Sequence, residues 1–142
     1  MTPPPADMGA RTPDGAAARP NLDPAELQRF AALAADWWDP NGKFRPLHQL
    51  GPARLTFIRD TITTHFARPA GGLRPLAGLS LLDIGCGGGL VSEPLFRMGA
   101  TVTGIEPAED NIAAARLHAA EHELDIDYRA TTAEAQIGRA HV

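Results

Sequence analysis

The chain has 142 residues, enough for one domain and hardly two, and a formal net charge of −4. That charge offers no electrostatic footprint for nucleic acid. No apolar run approaches the roughly 18–20 residues of a membrane-spanning helix, and Met1-Thr2-Pro3-Pro4-Pro5 does not open a secretory signal. A single cysteine, Cys86, excludes an intramolecular disulfide and suits a reducing, cytoplasmic setting.

Residues 1 to about 22 hold Pro3, Pro4, Pro5, Pro13 and Pro20 among alanines, with Leu22 almost the only large aliphatic side chain. So little apolar surface does not offset ordering entropy, which predicts a mobile arm over residues 1–22. Asp23-Pro24-Ala25-Glu26 starts a helix, with Asp23 as cap, proline at the first position and Glu26 where a capping box takes a carboxylate. Leu27, Phe30, Leu33, Ala34 and Trp37 follow at helical spacing, and the turn chemistry of Asp39-Pro40-Asn41-Gly42 stops the helix near Trp38. Residues 43–51 read as a loop. Gly51-Pro52 opens a second helix with Leu55, Ile58, Ile62 and Phe66 on one face.

Arg68 to Gly78 is a connector rich in proline and glycine. Leu79 to Asp83 reads as a short buried strand, because an apolar run of this length stops at a glycine cluster. A helix follows over Leu90 to Met98, closed by Gly99, then a strand over Thr101 to Ile105. Ala108 to His122 carries strong helix formers with Ile112, Ala115 and Ala119 on one face, and Ile126 to Ala130 reads as a third strand. The order β-α-β-α-β predicts an α/β fold with adjacent parallel strands and right-handed crossovers. One domain spans residues 23–136. The last six residues, Ile137-Gly138-Arg139-Ala140-His141-Val142, continue no earlier pattern and are similar to the translation of a sequencing adapter. They read as a non-native tail over 137–142 on a truncated gene product.

Gly85, Gly87, Gly88 and Gly89 form a loop where a ligand can approach backbone without meeting a Cβ. Free N–H groups of the loop and the dipole of the following helix would meet there. A dinucleotide fingerprint, Gly-x-Gly-x-x-Gly, would need its third glycine at position 90, which is Leu. The motif present is Asp83-x-Gly85-x-Gly87-x-Gly89. A carboxylate at the strand end repels pyrophosphate and suits an ammonium or sulfonium. Glu106, at the end of the next strand, stands where an acid accepts hydrogen bonds from ribose hydroxyls. The two acids favour S-adenosylmethionine over NAD; an NAD(P)-dependent oxidoreductase and a non-catalytic binding fragment are the competing readings.

Asp83-Ile84-Gly85-Cys86-Gly87-Gly88-Gly89 resembles the first motif of the class I S-adenosylmethionine-dependent methyltransferases. Trp37-Trp38-Asp39-Pro40-Asn41-Gly42-Lys43-Phe44-Arg45-Pro46-Leu47-His48, followed by Pro52-Ala53-Arg54, is similar to the N-terminal signature of the ubiquinone biosynthesis O-methyltransferases. The likeness covers about residues 26 to 135. It implies the N-terminal part of a Rossmann-like fold, two leading helices and then the parallel sheet. By that resemblance Arg54 reaches the cofactor's methionyl carboxylate, Gly85 lies against the cofactor and Gly87 keeps the loop open. Asp83 holds the loop or the amino group, and Glu106, often Asp in relatives, takes the ribose. It further implies a polyprenylated phenol or quinol substrate, worked at the surface of the inner membrane. The family's catalytic base and divalent-metal ligands follow the fourth strand, after this chain stops, so no catalytic or metal-binding residue is assigned here. A chain ending there would leave a central strand as an edge and bind cofactor weakly.

Bland roles compete at several positions. Trp37 and Trp38 suit core packing, His48 a structural hydrogen bond, and the His118/His122 pair a solvated helix face. Cys86 stands near a helix N-terminus, where its pKa would fall, yet small residues are simply what this loop needs.

Overall fold

A computed structural model describes residues 23–140. The arm expected over 1–22, and the end of the expected tail, lie outside the described residues. The elements are α1 (Pro24–Trp38), α2 (Arg45–His65), β1 (Ser80–Ile84), α3 (Ser92–Arg97), β2 (Thr101–Glu106), α4 (Glu109–Glu121), β3 (Asp127–Ala130) and α5 (Ala133–Ala140). The strands form a parallel sheet in the order β1-β2-β3, with Asp83 beside Gly104 and Ile105 beside Arg129. The α/β alternation is therefore as its residues predict. α5 runs across residue 136, where the expected tail begins.

α1 begins as its cap requires, with Asp23 Oδ1 accepting from the Ala25 N–H at 3.1 Å. Its buried face is narrower than the spacing implies. Phe30 and Ala34 are buried, whereas Leu27 is exposed.

α2 departs most from expectation. It starts at Arg45, six residues before the expected Gly51-Pro52 opening, and carries Pro52 inside. The turn explains this. Asp39 Oδ1 accepts from the Asn41 N–H at 2.9 Å, the Phe44 carbonyl accepts from Leu47 and His48, and Pro46 sits in the first turn where no N–H is needed. Pro52 simply withholds one N–H from a helix already under way. Phe66, expected on the apolar face, lies past the last helical residue and is exposed, while Leu55, Ile58 and Ile62 pack as expected.

α3 is only six residues long and starts at Ser92 rather than Leu90, because residues 85–91 are consumed by turns. β1 is the exposed edge that a chain of this extent was expected to leave, and only the reading of it as buried is corrected. It has β2 as its neighbour on one side only, and Leu82 and Ile84 are 42% and 58% exposed, so it is a sheet edge rather than a buried strand among the described residues.

Two apolar clusters hold the layers together. Leu76, Leu95, Ala100 and Val102 gather the half-buried Leu55, Ile58 and Ile62 of α2. Cys86, Ile112, Ala115, Ala119 and Tyr128 join α4 to β3. Ile112 is 1% exposed at the centre of the second cluster. Ile112→Ala should cost about 2–5 kcal/mol, through lost burial and the cavity left behind. A urea midpoint equal to wild type would place Ile112 outside the core.

Candidate functional site

At the C-terminal end of β1 the chain turns through a left-handed residue, Gly85, with φ of 75°. A Cβ on Gly85 would meet nothing within 4 Å, so this glycine faces open space. Its neighbours do not. The Trp37 indole lies on the backbone of Gly87 and Gly88; a Cβ on Gly87 would come within 2.7 Å of Trp37 Cη2, and one on Gly88 would overlap the ring. A Cβ on Gly89 would overlap the Tyr128 hydroxyl. The loop is bare for two different reasons: Gly85 faces open space, and Gly87, Gly88 and Gly89 make room for protein side chains.

The expectation of free loop N–H groups is corrected at Gly85, Cys86 and Gly89 by their hydrogen bonds. Gly85 and Cys86 both donate to the Ile105 carbonyl, at 2.8 and 3.0 Å, and Gly89 donates to Cys86 at 3.0 Å. The end of β1 continues its ladder with β2, which spends these donors. With α3 so short, space and side-chain charge decide what binds.

The tryptophans are fixed from three sides. Trp37 stacks on Phe44 with ring centroids 3.8 Å apart, its carbonyl lies 2.8 Å from His48 Nε2, and its Nε1–H donates to Asn111 Oδ1 at 3.3 Å. Trp38 Nε1–H donates to the Gly88 carbonyl at 3.1 Å. The run Phe44-Arg45-Pro46-Leu47-His48 thus closes the α1–α2 hairpin, and His48, in the first turn of α2 rather than in a loop, has the structural hydrogen bond expected of it.

Between α2, the loop and the start of α3 lies a cleft of about 550 Å³. Its lining includes Arg54, Asp83, Gly85 and Gly87, with Leu55, Ile58, Leu90 and Val91 as apolar wall. Asp83 Oδ2 accepts from Ser92 Oγ at 2.6 Å. Burial raises the Asp83 pKa, partly offset by that bond and by the Arg54 charge. A raised carboxyl of this kind favours folding fully below its unfolded pKa. The contribution is lost as pH climbs through the folded value, so at neutral pH a cationic partner is favoured. Glu106 is not among the lining residues. It stands at the end of β2, its Oε2 accepting from the Ala108 N–H at 2.9 Å at the start of α4.

Sequence reasoning misses Tyr128, Glu93 and His118. The Tyr128 ring covers Gly104, where a Cβ would come within 2.7 Å of Cδ1, and its buried hydroxyl has no well-formed hydrogen bond among the described residues, with Ser92 its polar neighbour. His118 is not on a solvated face: it lies 2.6 Å from the buried Glu93 and stacks on Trp38. The one available signal was a glutamate amid the small and apolar residues after the glycine loop. Cys86 is also corrected. Burial, then the charges of Asp83 and Glu106, push its pKa up to about 12, the reverse of a helix-activated thiol. Among the described residues no group of three or more His, Cys, Asp or Glu gathers as a metal site.

The Ubiquinone biosynthesis O-methyltransferase of Mesorhizobium japonicum is 57% identical over 116 residues, 82% of this chain and 47% of the relative. That of Ruegeria pomeroyi is 58% identical over 119 residues, 83% of this chain and 48% of the relative. Over those residues the chain is similar to this family. It spans about half the length of the curated relatives it matches. A family described as a methyltransferase domain matches residues 82–139. Among solved structures, the bifunctional kinase-methyltransferase WbdD superposes with a TM-score of 0.52 at 23% identity, covering 79% of this chain and 25% of that one, a likeness of fold alone. The fold is accordingly the Rossmann-like class I methyltransferase type.

Gly89→Ala should destabilise by about 1–3 kcal/mol, because φ is 96° and the new methyl meets Tyr128. Tyr128→Phe should recover part of that loss; strict additivity in the double-mutant cycle would deny the contact. Cys86 should react with iodoacetamide at mildly alkaline pH about tenfold or more slowly than free cysteine. Its stabilising contribution is present below the ordinary thiol pKa and disappears as pH rises toward 12.

Proposed function

We propose that this chain supplies the S-adenosylmethionine-binding half of an enzyme that O-methylates polyprenylated phenol or catechol rings in ubiquinone biosynthesis. The observation that carries the reading is the convergence of Arg54, Asp83, Gly85 and Gly87 on one cleft at the end of β1. A cation and an anion on opposite walls match the carboxylate and ammonium of a methionyl group. Gly85 leaves room for that group against the backbone. Glu106 spends one carboxylate oxygen on Ala108 and keeps acceptor capacity for ribose hydroxyls at the neighbouring strand tip.

When bound, the cofactor supplies a methyl carbon activated by a sulfonium. The residues named here bind and orient it; a phenol, with a pKa of about 10, also needs a base to become a good nucleophile. No described residue is assigned that task, and a divalent metal has no cluster of ligands among the described residues. The substrate's apolar tail places the work at a membrane surface. No helix of the described residues is long and apolar enough to cross a membrane. Peripheral contact, from a cytoplasmic location, is therefore proposed, and exposed Leu50 and Phe57 of α2 support it.

Equilibrium dialysis of the purified chain should show S-adenosylmethionine bound in preference to NADH; the opposite order would overturn the assignment. Arg54→Ala and Glu106→Ala should each weaken binding by roughly 1.5–3 kcal/mol, about ten- to hundredfold. An unchanged dissociation constant removes that residue from the site. Asp83→Asn should weaken binding comparably while leaving the ligand-free melting temperature unchanged or higher, since a costly buried charge is gone. Co-sedimentation with lipid vesicles reads the peripheral contact: Phe57→Ser should reduce it, and equal partitioning rejects that surface.

A further inference from the structure

Behind the glycine loop, away from the cleft, α3 and α4 bury an ionisable pair that ligand binding does not use. Glu93 is 3% exposed, and its Oε2 lies 2.6 Å from His118 Nδ1. A carboxylate this deep is costly unless paired, and the imidazole is its partner. The His118 ring stacks on the Trp38 indole, with centroids 4.0 Å apart and planes within 1°. Trp38 in turn donates its Nε1–H to the Gly88 carbonyl. Contacts from α3, α4 and α1 therefore run in series and end on the loop that lines the cleft.

We propose that Glu93, His118 and Trp38 are positioning residues forming a latch on the glycine loop. The carboxylate fixes the imidazole plane, the imidazole seats the indole, and the indole N–H holds the Gly88 carbonyl. The value of the held loop as a cofactor seat rests on the function proposed above; the latch itself rests on these contacts. Filling space is a poorer account of position 93, because packing needs an apolar side chain and not a carboxylate aimed at an imidazole. A flat stack followed by a directed N–H bond also constrains angles, which apolar contact does not. The other ionisable groups acting on Glu93 are Arg97 on α3, His122 on α4 and Tyr128 on β3. His122 stacks on His118 at 4.2 Å.

The chain has two tryptophans, Trp37 and Trp38, so intrinsic emission reports on the latch directly. That emission should change in His118→Phe, which loses the imidazole, and stay at the wild-type value in His122→Phe. Amide exchange at Gly87, Gly88 and Gly89 should quicken about two- to tenfold in Glu93→Leu and in His118→Phe, and return toward wild type in Glu93→Gln, which keeps an acceptor. Binding of S-adenosylhomocysteine, measured by dialysis, should weaken by a similar factor in the two disruptive variants.

Unchanged loop exchange in Glu93→Leu or in His118→Phe would overturn the latch. Should those variants fail to fold, Trp38→Phe decides, since it keeps a ring and loses the N–H to Gly88: wild-type loop exchange in it sinks the proposal. A wild-type chain that ignores S-adenosylhomocysteine while its loop exchange follows the substitutions supports the latch and rejects the cofactor reading.

Discussion

An indole resting on backbone that has no side chains is the contact on which the rest of this structure depends. Trp37 can lie across Gly87 and Gly88 only because neither carries a Cβ. That single approach ties the leading helix to the loop after β1, and it decides where the cleft can be. Once Trp37 is seated, Phe44 stacks on its ring and His48 bonds its carbonyl. The α1–α2 hairpin then has one geometry, and α2 is carried to the side of the loop where Arg54 faces Asp83. A helix-to-loop contact of this kind needs a large flat side chain on one partner and none on the other, a requirement far stricter than burial.

The electrostatics follow from the same placement. Asp83 is half-buried at the strand end with a hydroxyl from Ser92 as its neutral partner. Its charge is strained by desolvation and eased by Arg54. On the function proposed above, an under-solvated anion with a cation near it is what would receive the two ends of a zwitterion. Cys86 lies between the two strand-end acids and is held as a thiol by the burial and the charge they create. The residue that looks most reactive in the loop is thus chemically the quietest.

The sheet shows a different constraint. β1 bears the site yet stands at an edge of the described sheet, with Leu82 and Ile84 exposed on it. Apolar strand residues in that state have a strong drive to be covered. The polar loop end of β1 is well supported by α1, α3 and β2, whereas its outer side is not. Local order at the cleft is therefore carried by the helices and the tryptophans more than by the sheet.

Much of this was legible in the residues themselves. Period, caps and glycine clusters located every β-strand and α1 to within a residue or two, and the spacing of Asp83, Gly85, Gly87 and Glu106 distinguished this loop from a dinucleotide fingerprint. These features are local, written in neighbouring residues and in backbone preference. The start of α2 was hidden because Pro52 reads as a beginning when the turn at Asp39 has already led into a helix that starts seven residues earlier, at Arg45. The division of the glycines between open space and packed rings, the burial of Glu93, the pairing of His118 and the rise in the Cys86 pKa belong to tertiary structure alone. Each depends on which side chain from a distant element arrives at the loop, and burial and stacking across 50 or 80 residues of chain leave no trace in the order of the residues between.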